Sequence, residues 1–177
     1  TLDAKKKPIG KPYIKTGVGI PPAGFLWADL VYDNSMSLTD KAEGLRVDKN
    51  TVQGLPPNGW ALVRSTQVCP EHVEFYINSL NDNCNIGLTP LGSKLNQPIG
   101  VDGFCYDASG NKENSGSSVP YGIPFKTGDY VDMYYKNGTV SFSVNGVPQG
   151  IAFNVPPGLY VTVGTSQKSI ITVKFDG

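Results

Sequence analysis

Hydrophobic and polar positions alternate most clearly over residues 121–153, YGIPFKTGDYVDMYYKNGTVSFSVNGVPQGIAF. Val140, Phe142 and Val144 point one way while Thr139, Ser141 and Ser143 point the other, the period of two that a half-buried antiparallel strand requires. Asn137-Gly138 and Asn145-Gly146 interrupt the alternation, and Asn-Gly favours the two-residue hairpin turn in which both central residues have φ > 0. Three strands joined by two tight turns are therefore expected here, and an all-β chain follows. Upstream, Val73, Phe75 and Ile77 alternate with Glu74, Tyr76 and Asn78, a strand with one wet face. Apolar runs at 25–32, Leu45-Arg46-Val47, 60–63 and Ile86-Gly87-Leu88 add further strands, and Ser37-Leu38-Thr39 leads to a turn at 40–44. Turn-forming residues mark 48–59 as a polar loop, 81–85 as a turn, 89–100 as a loop and 107–120 as a long mobile loop. The pattern contains no convincing helix. Trp27 and Trp60 sit inside apolar runs and are expected in the core.

The quoted stretch also resembles the SPRY domain family. The shared elements, in order, are Tyr121-Gly122, Pro124-Phe125-Lys126, Gly128-Asp129, Asn137 to Phe142, Asn145-Gly146 and Gly150 to Phe153. Leu159-Tyr160 and the closing run Ile170-Ile171-Thr172-Val173-Lys174-Phe175 continue it, and residues 73–77 and 86–88 match the family's earlier strands. Two departures are visible. Gly103-Phe104-Cys105-Tyr106 stands where the family often has a Trp-rich segment, and Asp132 where it often has Gly. The resemblance implies a bent, two-sheet antiparallel β-sandwich, a concanavalin-like jelly roll of the SPRY type. It divides the chain into an N-terminal extension, 1–24, and a sandwich domain, 25–177.

The resemblance also implies a function. SPRY domains bind a peptide or protein surface through loops at one end of the sandwich, often as adaptors in larger proteins, ubiquitin ligases among them. By position, the family's binding loops fall at Asp48, Lys49, Asn50 and Thr51, at Leu91, Ser93, Lys94 and Leu95, and at Thr165, Ser166, Gln167 and Lys168. These loops lack the aromatic residues of the family's peptide binders, which argues against their asparagine-rich ligand. A monomeric protein-binding module without a cofactor is the leading expectation. A lectin-like carbohydrate binder and a structural domain of a large assembly are the alternatives. No exposed aromatic platform and no calcium-type carboxylate cluster is legible for the second.

Composition narrows the field. Lys+Arg and Asp+Glu are both 15, so the net charge is +0 and the basic field that holds nucleic acid or membrane surfaces is missing. A third of the positive charge, Lys5, Lys6, Lys7, Lys11 and Lys15, lies in the N-terminal extension, where Pro8, Pro12, Pro21 and Pro22 block regular helix. Ile14, Val18 and Ile20 are its candidate docking points on the sandwich. The chain starts at Thr1, as expected of a domain cut from a longer protein.

Catalytic chemistry is thin. Cys69, Cys84 and Cys105 are an odd set and read as free thiols in a reducing, intracellular setting, taken as cytoplasmic. Cys69 and the single histidine, His72, would face opposite sides of a strand, so no Cys-His pair is expected. The same parity separates Glu71 from Glu74 and Asp129 from Asp132, and Asp129 reads as a turn residue that satisfies backbone N–H groups. Cys69, His72, Cys84 and Cys105 lack the second short ligand pair of a zinc site. Tyr130 and Tyr134 share one strand face and Tyr135 takes the other, ordinary packing rather than a base-stacking array. Asn137-Gly138-Thr139 matches a glycosylation sequon, but its place in a turn accounts for it.

Overall fold

A computed structural model describes residues 34–55 and 59–175. The expectations placed on 1–33, including the extension, the strand at 25–32 and Trp27, lie outside the described residues. From Ser35 onward the described chain forms one compact unit.

Among the described residues, fourteen strands make up two antiparallel sheets. In the first sheet, β1 (Met36–Lys41), β4 (Ala61–Val68), β13 (Tyr160–Thr165), β6 (Cys84–Thr89), β7 (Phe104–Asp107), β8 (Asn111–Asn114) and β9 (Ser117–Pro120) lie side by side in that order. The second sheet runs β12 (Val147–Asn154), β11 (Thr139–Val144), β10 (Tyr130–Lys136), β5 (His72–Ser79), β14 (Ile170–Phe175), β3 (Thr51–Gly54) and β2 (Leu45–Asp48). A single helical turn, α1 (Ile99–Asp102), precedes β7.

The alternating positions form the core. Val73, Phe75, Ile77, Val131, Met133, Val140, Phe142, Ile171 and Val173 project from the second sheet onto Val63, Ile86, Leu88, Val161 and Val163 of the first, all nearly inaccessible to water. Tyr106 sits at the centre of an aromatic group, its ring 5.2 Å from Phe125, 5.2 Å from Phe142 and 5.1 Å from Tyr121. The Tyr106 hydroxyl donates to the Ile123 carbonyl, so the buried phenol is satisfied. Both Asn-Gly turns adopt the expected conformation: φ is 54° and 74° at Asn137 and Gly138, and 49° and 81° at Asn145 and Gly146.

The structure corrects two expectations. Residues 107–120 are not a mobile loop but the β8–β9 hairpin, closed by Ser115 and Gly116 at φ 54° and 74°. Residues 48–59 hold β3, paired with β2 around Lys49 at φ 56°. β8 and β9 bury no side chain fully and are held by backbone pairing, so hydrophobic alternation does not mark them.

β12 closes one edge of the second sheet and exposes Val147 and Ile151. Three of its carbonyls are taken by side chains. Gly150 accepts from the Tyr121 hydroxyl, Ala152 from Lys112 Nζ at 2.8 Å, and Val147 from Gln149 Nε2 at 2.8 Å.

Candidate binding surface

Three segments carry the expected site, and the register shows where each lies. Thr165 ends β13 opposite Cys84 and Ala61, the first residues of β6 and β4. The chain then crosses to the second sheet, where Ile170 pairs with Ser79. This crossing is pinned. Ser166 Oγ donates to Asp82 at 2.6 Å, Ser169 Oγ accepts from Asn81 N–H at 2.8 Å, and the Ser169 carbonyl accepts from Gly54 N–H at 3.0 Å. A Cβ on Gly54 would stand 1.8 Å from the Gln167 carbonyl oxygen, so only glycine lets β3 and the crossing approach this closely. Thr165 and Ser166 are consequently buried, and Gln167 and Lys168 are the two that meet solvent.

The second segment, 91–95, runs over the outer face of the first sheet. Arg64 on β4 anchors it from below. Its guanidinium donates to both carboxylate oxygens of Asp40 at 2.7 and 2.9 Å, and to the Ser93 carbonyl and hydroxyl at 3.0 and 2.8 Å. The Leu95 carbonyl accepts from Leu62 N–H at 2.8 Å, while its side chain packs on Leu62, Ile99 and Cys105, a small second core on this face. Ser93 and Leu95 thus fix the segment, and Leu91 and Lys94 are exposed.

The 93–95 end of this segment meets the turn between β1 and β2. Together they border a shallow, open cleft of about 620 Å³ whose walls include Lys41, Glu43, Trp60, Lys94, Leu95 and Asn96. Trp60 is half-buried there and does not belong to the core, contrary to its reading from the apolar run. Gly44, also on the cleft wall, accepts from Leu55 N–H at 2.9 Å, and the neighbouring Gly54 touches the 165–169 crossing. The second and third segments therefore share one end of the sandwich.

The first segment does not join them. Asp48 pairs with Thr51, and Thr51 faces Thr172, so the turn at Lys49 and Asn50 projects toward the far end of β14. Asn50 is structural there. Its side-chain oxygen accepts from Met36 N–H at 2.9 Å and its carbonyl from Val173 N–H at 2.8 Å. Thr51 Oγ1 lies 3.0 Å from Thr172 Oγ1, which leaves Asp48 and Lys49 to face solvent.

The outer face of the second sheet holds a pair that local parity could not find. His72 Nε2 lies 2.6 Å from Asp132 Oδ1, and its ring stacks on Tyr134 at 4.9 Å. The two residues are diagonal neighbours across β5 and β10, both at outward positions. Ser143 Oγ reaches the other Asp132 oxygen at 3.5 Å. The carboxylate, not the imidazole, stands between the other two groups. The serine is therefore not relayed to a histidine base, as hydroxyl activation would need. On the same face Tyr130 and Tyr134 are 46% and 42% exposed, so the shared face that the alternation predicts is an aromatic surface open to solvent rather than ordinary packing. Tyr134, Ser141 and Ile151 line a groove of about 290 Å³ beside it.

The three cysteines are free and buried, and burial pushes each thiol well above its usual range. Among the described residues no group of three His, Cys, Asp or Glu side chains could hold a metal ion. Nor is any helix there long and apolar enough to cross a membrane.

No family model matches the chain. Ran-binding protein 9 of Danio rerio is 31% identical over 150 residues, which cover 73% of this chain and 25% of that protein. The chain thus spans about a quarter of the length of this curated relative. A human SPRY domain superposes with a TM-score of 0.69 at 19% identity, over 76% of this chain and 97% of that one. The SPRY domain of human HERC1 gives 0.67 at 16% identity, over 79% and 97%.

Proposed function

We propose that this chain, a β-sandwich of the SPRY-domain fold, is a non-enzymatic protein-interaction module that takes a peptide or protein surface at one sandwich end. The observation that carries this reading is the cleft beside residues 93–95. It combines a half-buried indole and the Leu95 side chain with charged groups of both signs at its rim, Lys41, Glu43 and Lys94. An aromatic anchor in a partly desolvated pocket with a polar rim is the usual composition of an interaction hot spot. Gln167 and Lys168, at the same end, extend the contact area. The module works as a monomer inside a larger intracellular protein, in line with its partial coverage of its relative. That relative is named for binding Ran, which makes Ran the first partner to test.

The test is direct binding to Ran and capture from lysate, with the wild type, a Trp60→Ala/Lys94→Ala variant and a Gln167→Ala/Lys168→Ala variant, each checked for folding. Loss of about 2 kcal/mol or more of binding in the first variant, with a smaller loss in the second, is expected for an anchor and its rim. A partner held equally by all three folded proteins would refute the assignment of this end.

Carbohydrate binding is the second reading, favoured by the exposed Tyr130 and Tyr134 on the outer face of the second sheet. A glycan array distinguishes the two. A sugar signal abolished by Tyr134→Ala but not by Trp60→Ala would replace the first reading.

A further inference from the structure

Among the described residues, two hairpin turns share the same dipeptide and the same backbone conformation. Asn137-Gly138 joins β10 to β11, and Asn145-Gly146 joins β11 to β12. Their φ values agree within a few degrees and all four residues are exposed. Their side chains differ. The Asn145 amide is held at both ends: Oδ1 accepts from Tyr130 N–H at 2.9 Å, and Nδ2 donates to the Asp129 carboxylate at 3.0 Å. The Asn137 side chain has no hydrogen-bond partner among the described residues.

From this difference we infer that Asn137 is a site of spontaneous deamidation and that Asn145 is protected by its tether. Glycine after asparagine leaves the next backbone nitrogen unshielded by any side chain. The Gly138 nitrogen gives up its proton and forms a bond to Asn137 Cγ. The Cγ–Nδ2 bond breaks and ammonia departs, carrying that proton. Water then opens the five-membered imide. Attack at Cγ yields aspartate with the peptide link restored. Attack at the backbone carbonyl carbon yields isoaspartate, with the chain running through the side-chain carbon. Water is the only co-reactant and nothing is oxidised or reduced.

At Asn145 the same attack requires the amide to turn. It must leave a backbone donor and a carboxylate acceptor, and hydrogen bonds to charged groups are the stronger kind. At Asn137 the amide turns freely in solvent.

The products alter one defined place. Either one adds a carboxylate to a chain of net charge +0, next to Lys136 and its ion pair with Glu71. Isoaspartate also lengthens the backbone of a two-residue turn by one atom. That breaks the pairing of Lys136 with Thr139 and shifts the Gly138 carbonyl that accepts from Val155 N–H at 2.8 Å. The cleft of about 460 Å³ between Asn137, Tyr135 and Pro157 would change shape and gain a negative charge beside Lys136. This end of the sandwich is the one away from the Trp60 cleft, so ageing at Asn137 would leave that cleft intact.

The test incubates the full chain at mildly alkaline pH, native in one arm and unfolded in urea in the other. Peptide mapping then follows conversion and uptake of label from heavy-oxygen water at each asparagine. In the native arm the Asn137 peptide should convert roughly tenfold or more faster than the Asn145 peptide, the factor expected for releasing two hydrogen bonds. In urea the two rates should converge. Equal native rates, or the same ratio in both arms, would overturn the inference. Asp129→Ala, which frees Asn145 Nδ2, should speed conversion at Asn145 and leave Asn137 unchanged. If that variant folds and Asn145 stays slow, the tether is not the cause and the inference fails.

Discussion

Two side chains show how single residues set the candidate surface. Arg64 spends all its described hydrogen bonds inside the molecule, on Asp40 and on Ser93. Its guanidinium is 3% exposed, whereas Asp40 is 31% exposed. Arg64→Ala would leave the Ser93 carbonyl unpaired and release the 91–95 segment. A loss of about 2–4 kcal/mol in urea unfolding is expected, nearer the cost of breaking a buried pair than of removing a surface one. Asp129 gives the pH dependence. Burial alone would raise its pKa, but the Asn145 amide, the Lys126 N–H and the Lys126 charge together hold it below the ordinary carboxylate range. A depressed folded-state pKa contributes stability above the unfolded value, about 3.9, and loses it as pH falls through the folded value. The stability difference between wild type and Asp129→Asn should therefore be constant near neutrality and shrink in acid. A difference that persists unchanged at the acid end would contradict this.

At the level of elements, legibility follows from what holds each strand. β5, β10 and β11 pack one face on the core, so alternation displays them, and the Asn-Gly turns fix where they end. β3, β8 and β9 are short pieces in which Thr51, Gln53, Asn111 or Glu113 carries the pairing positions. Backbone hydrogen bonds hold such strands, and those leave no hydrophobic trace. β3 also shows how an element can be confined by its neighbour. Gly54→Ala would drive a Cβ into the Gln167 carbonyl, a backbone atom that cannot swing aside. It should cost about 3 kcal/mol or more and expose residues 165–169 to faster amide exchange. Gly138→Ala, whose Cβ would meet the Val155 carbonyl oxygen only at an ordinary 4.0 Å, should cost only the roughly 1 kcal/mol of a left-handed alanine.

Across the whole molecule, the sandwich was legible because many motifs agreed in order over residues 121–175. The surface was legible only in part. The 91–95 and 165–168 segments came by position and do share an end, but 48–51 lies at the other, since a β2–β3 hairpin intervenes that the sequence pattern did not show. Trp60 was read as core because three apolar residues follow it. The Pro56-Pro57-Asn58-Gly59 run before it was the available sign of a loop mouth rather than a strand interior.

The side-chain caps on β12 reach beyond the fold itself. An edge strand is a template that an identical chain can extend, and crowding many copies together turns such templates into fibres. With the Ala152 carbonyl taken by Lys112, an arriving strand finds one acceptor fewer, and Pro148 has no N–H to offer it. A Lys112→Met chain that still folds should scatter light at concentrations where the wild type stays clear. Lys112 would then be a residue that lets many copies of this module be carried side by side without seeding one another.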